Sequence, residues 1–484
     1  MARVLAIDIG TSSIRAGVHG AGLQRMRPAS QVRYRWRVGS DGSVETPAAT
    51  LERAVAQAID GALLGVRASV DAVAIAAFWH SLVGVDANGR AVTGVMPWTD
   101  TRSGAEAIAL RGQLDERAVH ARTGCRIHPT YWPPRLRWFA DHEPRTFRKV
   151  RRWTTFPSYL ESRWLGRSAE SRSQASATGL FLHTRGDWDA ELCAACRITP
   201  AQLSPIVDVD DTSASITSAI ARRWPQLEKA RWIPPVGDGA LNNLGAGCVA
   251  RGNAALMIGT SGALREVWTT GTMPAVPFGL WRYWLDRRRV VVGGALSNGG
   301  NFAAWMRQTL GFENSSAGAA RTDAAVARIA PDSHGLTVLP FLAGERSPDY
   351  PPDAFATIAG LRLATTREQI FRAGLEGIAY RFLDVMEELV TIAPVTRLLA
   401  TGTALTASRV WPQIIADTLG CKVEVPRDAE LTSRGAAMLA FEQLGLAVRA
   451  IDPPIAKVYH PDRHTQATYR TAAERQRRLL RALC

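Results

Sequence analysis

Lysine is nearly missing from this sequence: of 58 basic residues only Lys149, Lys229, Lys422 and Lys457 are lysines, and the rest are arginines. They carry the net charge to +14, yet they are scattered, and their densest groups at 145–152, 287–289 and 475–481 are short. A nucleic-acid surface needs a clustered basic face, so these groups read as solvated helix faces and no nucleic-acid partner is expected. Cysteine is sparse as well. Six cysteines, at 125, 193, 196, 248, 421 and 484, are too few in 484 residues for a disulfide framework and point to a reducing compartment. Cys193 and Cys196 make a lone C-x-x-C with no second pair, which reads as two cysteines one helical turn apart. No apolar run reaches the ~18 residues of a membrane span. The first apolar run is broken by Asp8, which argues against a secretory signal. A cytoplasmic protein with no membrane partner is therefore expected. What is present is ordinary globular composition, 46% apolar over 484 residues, enough for two sizeable cores.

The chain is organised around its first strand and the loop after it. Val4 to Ile9 is apolar and β-branched, Gly10-Thr11-Ser12-Ser13 breaks it, and Ile14 to Val18 makes a second strand. Asp8 then stands at the end of a strand, beside a turn rich in backbone N–H groups and hydroxyls, which suits a nucleotide phosphate with Asp8 placed to hold its Mg²⁺. One copy is equally an ordinary hairpin with a polar turn. A second copy changes the reading: Ile9-Gly10-Thr11-Ser12 falls on Ile258-Gly259-Thr260-Ser261, and Val18 falls on Val267 at the same offset. Asp8 falls on Met257, so only the first copy can serve a metal. One phosphate hairpin per half suggests a duplicated α/β domain with the two hairpins facing across a cleft, the architecture of actin-like ATPases.

Further candidates lie along the chain. Ala72 to Phe78 is a continuous apolar run, the pattern of a buried strand, and it delivers Trp79 and His80 to the strand's end, where ligands gather in open α/β sheets. His80 is equally readable as a core histidine. Asp100 and Arg102, in the loop Met96 to Arg102, either bind hydroxyls or pair with each other. Asp238 stands between Gly237 and Gly239 at the opening of a helix, where it could cap the helix, face a ligand, or both. The boundary between the halves falls near residue 250, giving domains 1–250 and 251–484. In the second half Val290 to Leu296 reads as a strand running into Ser297-Asn298-Gly299-Gly300-Asn301, Leu336 to Leu342 as a buried strand, Thr366 and Gln369 as a capping box opening a long helix, and Gly402-Thr403 as a link from strand to helix. In the first half the third strand is expected over Gln31 to Val38.

Taken together and in order, these residues resemble the FGGY family of carbohydrate kinases over essentially the whole chain. The matches are Asp8-x-Gly10-Thr11, Trp79-His80, Trp98-x-Asp100-x-Arg102, Gly237-Asp238-Gly239-Ala240, Gly259-Thr260-Ser261-Gly262 and Gly402 before its helix. Phe341 to Pro348 and Ala373 to Gly377 look most like the gluconate kinase and xylulose kinase branches. The resemblance implies two domains of ribonuclease-H-like fold, with the sugar deep in the cleft between them and ATP bound mostly by the C-terminal domain. It implies Asp238 as the general base and Asp8, with Asp238, as the Mg²⁺ site. Gly10, Thr11, Ser12 and Ser13 with Gly259 and Thr260 would grip the phosphates, and Gly300, Gly402 and Thr403 the rest of the nucleotide. Trp79, His80, Asp100 and Arg102 would line the sugar, and Arg15 would offset charge on the transferring group. Two positions depart from the family: Thr403 replaces a common second glycine, and Arg135-Leu136-Arg137-Trp138 replaces a Lys-Leu-x-Trp segment. The expected activity is ATP-dependent phosphorylation of a small sugar or sugar acid, gluconate first. The alternatives are a xylulose-type ketose or polyol kinase, and a non-catalytic ATP-binding module, against which Asp238, His80 and Asp100 argue. A homodimer is left open.

Overall fold

Alternation along β1 (Arg3–Ile9) decides what the first half can build. Leu5, Ile7 and Ile9 turn to one face and pack under α1 (Ala48–Leu63) with Leu51, Val55 and Ile59. Val4 and Ala6 turn to the opposite face, and Asp8 follows them at the strand's end. Apolar burial on both faces of β1 fixes its register, so Asp8 cannot slip out of place without exposing either face. The computed structural model describes residues 2–26, 29–351, 354–428, 430–446 and 452–483, so Cys484 lies outside the described residues.

The first sheet runs β3 (Ser30–Arg33), β2 (Ser13–Gly20), β1, β4 (Ala72–Ala77) and β5 (Arg231–Trp232), with β6 (Val236–Gly237) also paired to β4. The first three strands are antiparallel and the rest parallel to β1. The expected third strand over Gln31 to Val38 is shorter than read: it ends at Arg33, and Arg37–Val38 pairs instead with Val44–Glu45 in a separate ribbon.

The second sheet repeats the order. β9 (Trp281–Trp284) and β10 (Arg289–Leu296) lead to β8 (Gly262–Thr269), β7 (Asn253–Ile258), β11 (Arg397–Thr401), β12 (Val423–Pro426) and an added edge strand, β13 (Ile455–Tyr459). As in the first sheet, a hairpin is extended by parallel strands beside its first member. The strand read over Leu336 to Leu342 shrinks to Thr337–Leu339, which pairs only with Thr357–Ala359. The capping box is present, with Thr366 and Gln369 each satisfying the other's backbone, and it opens the helix Arg367–Leu389.

Two helices lie in the seam between the sheets, α2 (Asp238–Gly245) and α3 (Leu431–Gln443). Ala240, Leu241 and Leu244 join Ala436, Ala440 and Phe441 in one core that also holds Val4 and Ala6 from the first sheet and Val267 and Val291 from the second. That core ties the halves together behind the cleft. Among the described residues no helix is long and apolar enough to cross a membrane.

Candidate functional site

The two glycine turns open onto one cavity of about 420 Å³ between the halves. The first turn contributes Asp8, Gly10, Thr11, Ser12, Ser13 and Arg15 to its lining, the second Gly259 and Thr260, and the start of the helix after β11 contributes Gly402 and Thr403. Trp79, His80 and Asp238 form its inner wall. Local bonds hold the turns. Gly10 N–H donates to Ser13 O (3.1 Å), Tyr34 Oη donates to Gly10 O (2.6 Å) and Trp36 Nε1 to Thr11 O (2.7 Å). In the second turn Gly259 N–H donates to Ser261 O (3.0 Å). Gly300 does not line the cavity. Its N–H donates to Gly259 O (2.9 Å) and Asn301 N–H to Thr260 O (3.0 Å), so the helix Gly300–Thr309 supports the second turn from behind.

The equal-offset alignment of the hairpins fails by one residue. Ile9 pairs with Ile14 across a four-residue turn, whereas Ile258 pairs with Gly262 across three. Leu5 faces Val18 and its counterpart Ala254 faces Glu266, so Val18 corresponds to Glu266 and Val267 is its neighbour. By the same register Arg15, opposite Asp8, corresponds to Ala263, opposite Met257.

Two carboxylates converge on the cavity. Burial, then the charge of Asp238, raises Asp8 to about 7 despite Arg15 at 3.6 Å. Burial raises Asp238 to about 6, and Arg265 opposes the rise. Asp238 is the first residue of α2 rather than its cap, and its Oδ1 accepts the Gly239 N–H (2.7 Å). Its two glycines have a steric reason. A Cβ at Gly237 would lie 1.9 Å from the Trp79 ring, and one at Gly239 would lie 2.4 Å from an Arg265 nitrogen. Only glycine lets both side chains close against Asp238.

The inner wall is aromatic and strained. Trp79 sits edge-on to Tyr283 (5.2 Å) and Trp281 (5.9 Å), which stack on each other at 4.3 Å. His80 holds a left-handed backbone (φ 68°), a conformation non-glycine residues keep only when their surroundings impose it. Burial pushes its imidazole down to about 3, so the ring is neutral: Nδ1–H donates to Ala177 O (2.6 Å) and leaves Nε2 as an acceptor. The fully buried Arg135, where the family carries lysine, donates to Pro129 O (2.7 Å), His80 O (2.8 Å) and Pro97 O (2.7 Å). A planar fork reaches three carbonyls on three segments, and it fastens the His80 and Pro97 backbones to one helix.

Asp100 and Arg102 do not reach the cavity. Asp100 is fully buried, accepts the Val44 N–H (2.8 Å) and is bound by Arg102 through Nε (2.9 Å), while Arg102 Nη2 reaches Glu45 (2.9 Å) and the guanidinium covers Trp138. The two satisfy each other and tie the loop to the Arg37–Glu45 ribbon. Three charged lining side chains were not singled out from the sequence, Arg265, Arg346 and Glu430, nor were the wall aromatics Trp281 and Tyr283. Arg265 had a signal, since strand parity puts it on the same face as Met257. Arg346 and Glu430 had none, because they come from distant loops.

Residues 3–245 match the N-terminal domain of the FGGY family of carbohydrate kinases and residues 254–444 its C-terminal domain. A gluconokinase of Bacillus subtilis (strain 168) is 30% identical over 399 residues, 80% of this chain and 76% of that protein. A xylulose kinase of Streptomyces rubiginosus is 30% identical over 372 residues, 76% of this chain and 73% of that protein. The crystal structure of a gluconate kinase from Lactobacillus acidophilus superposes with a TM-score of 0.91 at 22% identity, covering 99% of this chain and 98% of that one.

Proposed function

The chain belongs to the FGGY family of carbohydrate kinases, and from that premise we propose that it phosphorylates a hydroxyl of a small sugar acid, gluconate before any other, with Asp238 as general base. The observation that carries the reading is the position of Asp238. It opens α2 in the seam and lines the same cavity as both glycine turns, so a hydroxyl beside it faces whatever phosphate the turns hold. Asp238 takes the hydroxyl proton as that oxygen attacks the terminal phosphorus and ADP leaves. A base held at about 6 is ionised at neutral pH yet still basic enough to accept the proton. Phosphoryl transfer otherwise asks for positioning and charge, which Arg15 and the turn amides supply. A binding module would have no use for a base facing a second pocket.

Asp8 and Asp238 fit a divalent cation, because two carboxylates converge there and burial, with the charge of Asp238 added to it, raises Asp8 to about 7, a cost of ionisation that a cation relieves. Mg²⁺ held by them would neutralise charge on the phosphates. The boundary between the lobes is placed near residue 250. A ketopentose is the second acceptor to consider, since a xylulose kinase is as similar as the gluconokinase. The test is a coupled ADP-release screen over aldonic acids, ketopentoses and polyols. Acceptor-dependent release that is fastest with gluconate supports the reading, and no acceptor-dependent release refutes it.

A further inference from the structure

Two arginines in the cavity wall lack both the anionic partner of Arg372 and Arg381 and the full set of carbonyl partners of Arg135. Arg372 meets Glu376 at 2.6 Å and Arg381 meets Asp349 at 2.7 Å. Among the described residues Arg265, only 6% exposed, donates to the Met257 thioether alone (3.4 Å), and its Nε has no partner. Arg346, 7% exposed, gives one side-chain bond, to Leu296 O (2.8 Å), lies over the Trp98 ring at 4.5 Å, and among the described residues also leaves Nε without a partner. No carboxylate among the described residues lies within 4.0 Å of either guanidinium, and both line the cavity. Burying a guanidinium with unused donors costs far more than burying one that is paired, so a wall built this way is completed by what binds to it.

The placement says what that is. Arg265 lies three residues beyond Gly262 along β8, roughly 10 Å behind the turn at strand spacing, which puts it on the Asp238 side of the cavity rather than at the phosphates. It acts electrostatically on Asp238 and is itself acted on by Arg346, so the three charges are neighbours. The uncharged groups around them, His80 Nε2 and the Trp79, Trp281 and Tyr283 rings, suit hydroxyls and C–H faces. A planar carboxylate with two oxygens matches the guanidinium fork.

We propose that Arg265 and Arg346 form a carboxylate subsite that sets the enzyme's specificity, admitting a linear sugar acid with its acid group at the Arg346–Trp98 end and its reacting hydroxyl at Asp238. The inference rests on the kinase reading above. It is tested with gluconate and glucitol, which differ by a carboxylate in place of a hydroxymethyl group. A site built around a polar group rejects the analogue lacking it strongly, so wild-type kcat/KM favours gluconate by on the order of 10² or more. Arg346→Met lowers kcat/KM for gluconate at least ~10-fold, chiefly through KM, and narrows the gluconate to glucitol ratio, while Arg346→Lys, which keeps the charge, restores part of it. Calorimetric titration of the wild-type protein with each acceptor, without nucleotide, gives the same ranking and does not depend on a variant folding. Wild-type preference for glucitol or xylulose over gluconate overturns the subsite and leaves the kinase standing, and so does an equal loss on both acceptors in Arg346→Met. A failure of every acceptor in the screen to stimulate ADP release would instead refute the kinase reading.

Discussion

The two glycine-threonine hairpins share a strand register up to the turn, yet they bring different chemistry to the cleft. The first sets Asp8 across from Arg15, a charged pair at 3.6 Å, and the second sets Met257 across from Ala263 in the same places. On the first side the turn brings charged side chains to the cavity lining. On the second the lining is a backbone turn braced by the Gly300–Thr309 helix, and of the two charges on that strand, Arg265 and Glu266, Arg265 is the one that lines the cavity, deeper in and close enough to act on Asp238. A duplicated frame can thus be asymmetric in chemistry without being asymmetric in fold: alternation fixes which positions face the seam, and each copy is free to fill them differently. The seam aspartate belongs to neither hairpin, and removing it is expected to have the largest effect. Asp238→Asn should cost roughly 10²–10⁴ in turnover, the range for a general base, with ADP affinity measured by calorimetry nearly unchanged. Turnover within tenfold of wild type would take Asp238 out of that role.

The hairpins themselves are separated by a pair of matched variants. If Asp8 serves the phosphate end of the cavity as proposed, Asp8→Asn should lower kcat on the order of 10²-fold, with a raised Mg²⁺ requirement. Met257→Leu, at the corresponding place, is a volume-conserving swap that should cost less than about 1.5 kcal/mol of stability and leave turnover within a few-fold. Equal losses in both would mean that the second hairpin carries side-chain chemistry after all.

A smaller and more diagnostic difference lies in pH. Asp8 at about 7 and Asp238 at about 6 stand above their ordinary value of 3.8, so the folded protein holds their protons more tightly than the unfolded chain. The stabilisation this gives is complete below about pH 4 and is lost as pH rises through 6 and 7. Over that same interval Asp238 ionises and kcat/KM should rise, so activity and ligand-free stability move in opposite directions. Thermal melts between pH 5 and 8 should show the fall in Tm shrinking in Asp8→Asn, and parallel curves for variant and wild type would contradict it.

Much of this was legible because it is local. The alternation in Val4 to Ile9 places Asp8, the Gly-Asp-Gly triplet places Asp238 against Trp79, and Thr366 with Gln369 announces its helix in four residues. What was not legible depends on partners far along the chain. Asp100 and Arg102 were read as one of two things, and the choice was made by Glu45 and the Val44 N–H, more than fifty positions away. The one-residue slip between the hairpins was hidden because Gly262 can end a turn or start a strand, and only the pairing of Ile258 decides which. Arg135 looked like a neutral replacement for lysine until its three carbonyl partners were in place.

The smallest effect expected on the second side concerns Thr403, where the family commonly has a second glycine. Gly402 takes the positive φ (86°) that turns the chain out of β11, a conformation costly for any other residue, while Thr403 already begins the helix Thr403–Ala407. The backbone therefore needs one glycine here and not two. Thr403→Gly should cost about 0.5–1 kcal/mol of stability, as glycine does in a helix. If the second lobe holds nucleotide through its backbone, ADP affinity should move less than ~3-fold, about 0.6 kcal/mol at the standard conversion. Calorimetric titration with ADP decides it: tenfold tighter binding in the variant would mean that the threonine side chain obstructs the nucleotide, and the second lobe would then be controlled by a side chain as the first is.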